Sequence, residues 1–458
     1  MYNSTHRNHS ARRSKTSLRV SYLYLVFICL ALTACTANVP VEPTGPAATQ
    51  TPTEQPRPSP SSTPSVDLSI SKTHWLGSPE MGEGMLIGTI TNLESFPVGD
   101  VLISLHQKGS KTSEELFLTS SPIPAQIQPS MEALFYFTFP YNSAPTDLTL
   151  SYIANRADSD PPTDVQVEVL DQRETSEGRL LIRGEVKNQG DHLLRLQSVH
   201  ILLLDEQGET LGIAVSEHLL PALPPNGHNP FIASADAYLE ADSWKAYVNA
   251  SPALMPPIPP FEFGTGLKTE ATTQGQPYFL GEVENQGVTP WWMVLNVLYL
   301  MEDEVLGLDT LELPFPIPPR DRIPFVLDPS RSLPPDILIE GDPGNIEIQM
   351  FVDPWKALPS IDSQITIPIS ITQFEQIGSK LYLQGVVTNT QATPVSDTAA
   401  FITVYDVQGR TRAVGWSEPL GDLRAGDTKS FRVNLLIPKE LDITLTEFDV
   451  RAFGFPSE

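Results

Sequence analysis

Four times along this chain the same five-residue phrase returns: Gly, any residue, Ile or Val, any residue, Asn. It stands at Gly88–Asn92, Gly184–Asn188, Gly281–Asn285 and Gly385–Asn389, with the asparagines 96, 97 and 104 residues apart. An interval near 100 residues is the size of a small β-sandwich. The recurrence therefore asks for several copies of one unit, each large enough to bury its own core. Each phrase reads as the end of a strand running into a loop.

The rest of each unit follows one plan. An opening strand alternates apolar residues, as in Val165-Val167-Val169 or Ile365-Ile367-Ile369. The phrase follows, and then a long apolar strand: Val101–His106, Val199–Asp205, Val294–Leu300 and Ala400–Asp406. Three of these run into a turn closed by Gly109, Gly208 or Gly409; the third unit has Met301-Glu302-Asp303-Glu304 instead. A strand Phe stands 43, 43, 40 and 42 residues beyond the Asn, at Phe135, Phe231, Phe325 and Phe431. In the phrase itself, Gly lets another backbone or a large ring come close. The Ile or Val faces the core, and the Asn bonds its own loop and tolerates positive φ.

Composition agrees with this reading. The chain carries 44 Pro and 28 Gly among 458 residues, and only 18% are charged, which suits a loop-rich β protein. Period-two alternation is common, as at Leu148, Leu150 and Tyr152. The net charge is −26. Such an acidic body repels phosphate backbones, so nucleic acid is not an expected partner. No Asp-rich loop has calcium-ligand spacing.

The N-terminus differs. Residues 1–19 hold Arg7, Arg12, Arg13, Lys15 and Arg19 with no acidic group, and residues 20–34 are mostly apolar. A basic flank before a short apolar run describes a secretory signal, and the run is shorter than the roughly 20 residues of a membrane span. It ends in Leu32-Thr33-Ala34-Cys35, which resembles the lipobox of bacterial lipoproteins. The resemblance implies cleavage before Cys35 and a diacylglyceryl group on its sulfur, carrying acyl chains such as palmitate. Two chains give stable anchoring where one does not. Cys29 is the only other cysteine, so no disulfide is expected in the folded units. Residues 36–65 are dominated by Pro, Thr, Ser, Ala and Gln and have too little apolar surface to fold. They read as a disordered, semi-extended tether.

A second resemblance appears in the second and fourth units. Gly184-Glu185-Val186-Lys187-Asn188-Gln189-Gly190 with Leu203-Leu204-Asp205-Glu206-Gln207-Gly208, and Val404-Tyr405-Asp406-Val407-Gln408-Gly409 with Leu423-Arg424-Ala425-Gly426-Asp427, are similar to FxLYD-type domains of bacterial surface lipoproteins. This implies an immunoglobulin-like sandwich and transfers no active residues. The expected organisation is all-β: signal peptide 1–34, lipidated Cys35 and disordered linker 35–65, then four tandem sandwiches at 66–160, 161–257, 258–361 and 362–458. Connectors at Asp158–Pro162, Ser251–Pro260 and Asp353–Ser363 are Pro-marked, which predicts an elongated string of beads.

Chemistry is sparse. His192, His200, His218 and His228 fall in the second unit without metal-ligand spacing and read as scattered surface residues. No nucleophile elbow, phosphate loop or zinc-type Cys/His set is present in the sequence. The expectation is a non-enzyme with no cofactor and no metal. Trp291-Trp292 is the most unusual local feature. On an alternating strand one ring faces the core and the other solvent; an exposed indole could stack on a sugar or fill a partner's pocket, while packing would account for both. The Pro-rich loops Leu220–Pro225 and Leu313–Pro319 either bind a partner or shape the sandwich ends. The leading expectation is a lipid-anchored extracytoplasmic scaffold or protein-interaction stalk. It would sit on the outer face of the cell membrane or on the outer membrane, held by Cys35, with another envelope protein or a glycan as partner. The alternative is a carbohydrate- or envelope-binding adhesin using loops of the third unit, Trp291 and Trp292 among them.

Overall fold

The computed structural model describes residues 66–456 apart from 79–82, 108–115, 140–146, 158–163, 175–177, 236–240, 265, 273, 303, 334–344, 361–363, 440 and 443–445. The signal peptide, Cys35 and the 35–65 tether lie outside the described residues, as do Gly109 and the connector at Asp158–Pro162. Among the described residues the structure is all-β, with one 3-10 turn at Pro329–Arg331.

The first sandwich holds β1 (Leu68–Ser78), β2 (Glu83–Asn92), β3 (Val98–Gln107), β4 (Leu116–Ser120), β5 (Glu132–Phe139) and β6 (Leu148–Arg156). They form two antiparallel sheets, β1-β2-β5 and β4-β3-β6. The second holds β7 (Val165–Glu174), β8 (Leu180–Asn188), β9 (Leu194–Leu204), β10 (Thr210–Leu219), β11 (Ala222–Leu223), β12 (His228–Ala235) and β13 (Ser243–Pro252). Its two layers join because β10 pairs with β9 at one end and β12 at the other, across a bulge between Ser216 and His218.

The third holds β14 (Phe261–Phe263), β15 (Lys268–Ala271), β16 (Pro277–Asn285), β17 (Val294–Met301), β18 (Glu304–Glu312), β19 (Arg322–Leu327) and β20 (Glu347–Val352). Its layers are β14 and β15 with β16 and β19, and β18-β17-β20. The fourth holds β21 (Ile365–Thr366), β22 (Ile369–Ile377), β23 (Lys380–Thr388), β24 (Val395–Tyr405), β25 (Thr411–Trp416), β26 (Thr428–Leu436) and β27 (Glu447–Pro456). Its sheets are β22-β23-β26 and β21-β27-β24-β25. The expected single opening strand Ile365–Ile369 is thus divided. Pro368 has no N–H to continue a ladder, and the chain passes there from one sheet to the other.

The repeated phrase is the hinge of each sheet. Gly88, Gly184, Gly281 and Gly385 lie directly opposite Phe135, Phe231, Phe325 and Phe431 on the neighbouring strand. Each ring lies over the glycine: a Cβ there would sit 2.4 to 2.5 Å from the ring's Cζ. The two sequence landmarks are therefore one contact. Ile90, Val186, Val283 and Val387 are fully buried, as alternation requires.

The four asparagines are buried and make one repeated set of bonds. Nδ2 of Asn92 donates to the carbonyls of Phe96 and Ile127, and Oδ1 accepts from the Glu94 amide. Asn188, Asn285 and Asn389 do the same with His192 and Leu223, Thr289 and Ile317, and Thr393 and Leu423. None of the four adopts positive φ. The left-handed residue sits instead in the facing turn, at Ser130, Asn226, Arg320 and Gly426. Each of these turns is closed by a bond from residue i+3 to i, as from the Met131 amide to the Gln128 carbonyl or the Asp321 amide to the Pro318 carbonyl. That pattern is a type II turn, which takes Pro at its second position; Pro129, Pro225 and Pro319 stand there. The Pro-rich loops of the second and third units are thus turn formers bound to the Asn.

Consecutive sandwiches do not hang as separate beads. The outer face of the β1-β2-β5 sheet packs on the β9, β10 and β13 face of the second sandwich, with Ile87 and Leu134 against Leu202, Ile213 and Tyr247. Leu220 and Ile232 of the second sandwich meet Leu298, Leu300, Leu308 and Val305 of the third. The third and fourth share one core, in which Tyr278, Leu280 and Phe315 join Phe401, Val414 and Phe453. In each case the sheet carrying the Gly phrase covers the long-strand sheet of the following sandwich. The Asp353–Ser363 connector is also knitted in: Trp292 donates its amide to the Leu358 carbonyl, and Ser360 to that of Pro290.

Candidate interaction site

Cys35, the expected lipid attachment point, lies outside the described residues. Trp291 and Trp292 are both half-buried. Trp291 meets Phe261 edge-on at 6.4 Å within its own sandwich, and Trp292 meets Phe455 of the fourth at 6.1 Å. The backbone of Trp291 bridges Ile317 on one side and Pro359 on the other. The pair therefore points two ways, each ring against a phenylalanine, rather than forming one surface.

The histidines divide. His192 and His228 lie exposed beside Asp191 and Glu185. His200 does not fit the surface expectation. It is 4% exposed, stands 5.9 Å from the Tyr136 ring of the first sandwich, and shares a 2.9 Å hydrogen bond between Nε2 and Ser198 Oγ. Its Nδ1 is buried without a hydrogen-bond partner, and burial pulls its pKa down from 6.5 to about 4. His218 Nδ1 lies 3.1 Å from Thr310 Oγ1 across the next junction. The cause of both placements is tertiary: they occupy sheet faces that would be solvated in an isolated sandwich.

Polar side chains give each junction its register. Glu132 accepts from Lys245 Nζ at 2.6 Å and from Tyr247 Oη at 2.8 Å. Burial alone raises the Glu132 carboxyl, and these two bonds outweigh it, so its pKa is lowered. Burial and the same carboxylate push the Tyr247 phenol up. Arg183 donates to the Val305 carbonyl at 2.7 Å and pairs with Glu304 at 2.6 Å. These residues follow the odd hairpin of the third sandwich, where Glu302 takes a φ of 52° in place of a turn Gly. Arg451 pairs with Asp321 at 2.9 Å, and Tyr278 Oη donates to the Arg412 carbonyl at 3.1 Å.

The open feature lies at the side of the fourth sandwich. A cleft of about 490 Å³ is lined by Ile371, Thr372, Gln373, Phe374, Leu383 and Phe448. Phe374 is 58% exposed and its ring lies 6.2 Å from that of Phe448. A bulge between Ile371 and Gln373 shifts the alternation of β22 and turns Phe374 to the same side as buried Leu383. Sequence reasoning missed this site. The available signal was Phe374 standing out of step with Ile369 and Ile371. Among the described residues no group of three or more His, Cys, Asp or Glu side chains is placed to hold a metal.

The chain is an all-β protein of four immunoglobulin-like sandwiches stacked face to face. No protein-family model and no curated protein matches it. Solved structures of alpha-2-macroglobulin from Escherichia coli align weakly with it. The elastase-activated form shares 9% identity over 85% of this chain and 44% of that one, with a TM-score of 0.12. The trypsin-activated form gives 9%, 81%, 32% and 0.14, and the native form 12%, 86%, 27% and 0.13. This chain spans less than half the length of each, and scores this low transfer neither fold nor function.

Proposed function

We propose that this chain is a lipid-anchored, extracytoplasmic cell-envelope protein without catalytic activity, whose four sandwiches act as a scaffold or protein-interaction stalk. The observation that carries the reading is the threefold repetition of one junction: a Gly-phrase sheet on the next sandwich's long-strand sheet. Buried apolar junctions hold domains in fixed relation where Pro-rich linkers alone restrict them loosely. The free face of the fourth sandwich is more polar. On β26, Ser430, Arg432 and Asn434 are exposed between buried Phe431, Val433 and Leu435. Terminal repeats with a polar outer face cap stacked arrays in the same way. Cys35 supplies the anchor and the 36–65 tether the separation from the membrane.

Two measurements test it. Cys35→Ser should move the protein from the membrane fraction to the soluble fraction and abolish palmitate labelling. Spin labels placed in the first and fourth sandwiches should give one narrow distance distribution by double electron–electron resonance. A broad distribution would end the fixed-scaffold reading. The adhesin alternative would draw on Trp291 and Trp292; both rings already rest on phenylalanines, and no further observation favours it.

A further inference from the structure

We infer that the side cleft of the fourth sandwich accepts an extended segment of a partner protein, which adds as a strand beside β27. The inference rests on the protein-interaction reading and names where the interaction occurs and what it recognises.

The protein's own chain begins this pairing and abandons it. β21 pairs with the far end of β27, Ile365 opposite Gly454 and Thr366 opposite Phe453, and the Ile367 amide donates to the Ala452 carbonyl at 2.9 Å. Pro368 then carries the chain across, and Ile369 pairs with Val387 on the opposite sheet. Among the described residues no strand continues along β27 from Glu447 to Arg451 on that side. Backbone groups of an antiparallel strand point alternately to its two edges. Ala452 points to β21, so Val450 and Phe448 present their N–H and C=O along the vacant edge. An open edge of this kind pairs with extended chains.

The floor below the edge is apolar. Ile371, Leu383, Phe374 and Phe448 line it, and on an added strand every second side chain would point into it. Main-chain bonds then supply affinity and the cleft supplies side-chain selection, as in strand addition generally. A small apolar ligand would fill the cleft and leave the edge unused. Glu447 is exposed on the outward face of β27 next to Phe448, which favours a basic residue where the segment runs past it. The first sandwich shows the closed alternative. Trp75 stands opposite Leu86 there as Phe374 stands opposite Leu383, and its indole turns onto Phe139 at 5.0 Å.

The test uses the full chain in detergent and a fluorescein-labelled peptide, Lys-Thr-Val-Thr-Val-Thr-Phe-Thr-Lys, followed by anisotropy. Saturable binding is expected. It should weaken at least tenfold when alternate peptide amides are N-methylated, when the peptide is scrambled to lose alternation, or in Phe374→Glu. That variant changes an exposed side chain, and an unchanged melting temperature would show that it is folded. Hydrogen exchange should slow at the Val450 and Phe448 amides on binding. No binding by folded protein, or equal binding of the N-methylated or scrambled peptide, would overturn the inference. So would self-association of the peptide-free chain relieved by Phe374→Glu, because the occupant would then be a second copy. Membrane release by Cys35→Ser is unaffected by any of these outcomes, so failure here and failure of the scaffold reading stay distinguishable.

Discussion

The junction between the third and fourth sandwiches and that between the first and second use the same two sheet faces, yet they differ in content. The later one is aromatic and continuous with both cores: Phe315 lies 5.2 Å from Phe401 and 4.9 Å from Phe453. The earlier one is a separate apolar patch bordered by Glu132, Lys245, Tyr247 and His200. One geometry thus serves two purposes. A fused core makes two sandwiches unfold together, whereas a patch with a buried imidazole joins them conditionally.

The largest effect that would break this contrast is expected at Phe401. Phe401→Ala removes a ring buried between two sandwiches and should cost about 3–5 kcal/mol. Calorimetry should show the third and fourth sandwiches losing stability in one transition; two separate transitions in the native chain would refute the fused core. Next comes Asn389→Ala, which removes one of the two donors to the Leu423 carbonyl, the donor to the Thr393 carbonyl and the acceptor of the Gln391 amide. Losing these three bonds at a buried corner should cost about 1–3 kcal/mol, read as a lower midpoint in urea without change of fold.

A smaller, conditional effect belongs to the first junction. The His200 pKa is lowered in the folded protein, so the unfolded state takes the proton first. Its contribution is complete above pH 6.5 and declines as pH falls toward about 4, by at most about 1.4 kcal/mol per pH unit. His200→Asn should remove this dependence, measured as the melting of the first and second sandwiches across that window. The smallest effect is expected at the free end. Arg432→Ser removes an exposed guanidinium that lies 4.7 Å from the Tyr382 ring centroid and should change stability by no more than about 1 kcal/mol; a larger loss would mean that this face is covered.

The strands β5 and β26 show how much of this was legible. Both place a Phe over the phrase glycine, and both were located from the Asn-to-Phe spacing. β5 reads Glu-Ala-Leu-Phe-Tyr-Phe-Thr-Phe and is buried on both faces around Phe135. β26 reads Thr-Lys-Ser-Phe-Arg-Val-Asn-Leu-Leu and alternates. Leu134 and Tyr136 against Ser430 and Arg432 already distinguish a covered face from a bare one. What covers Leu134 could not be read, because Leu202 and Tyr247 are distant in the chain and no local pattern couples them. The same limit hid His200, which has the spacing of a surface residue and the surroundings of an interior one. It also hid the cleft, since a bulge changes which side Phe374 faces without altering composition.

By itself, the sequence determined the repeat, the all-β character, and the residues that build each unit's corner. These follow from steric and hydrogen-bonding needs that recur at short range: a glycine where a ring must lie flat, an asparagine where a loop needs both donor and acceptor. Only the tertiary structure decided which faces are buried between sandwiches, which way Trp291 and Trp292 turn, and where β27 is left with an open edge. Those outcomes depend on apolar area meeting apolar area across long chain separations. The hydrophobic effect that drives them carries no direction of its own, so the partner of each face emerges only when the sandwiches are stacked.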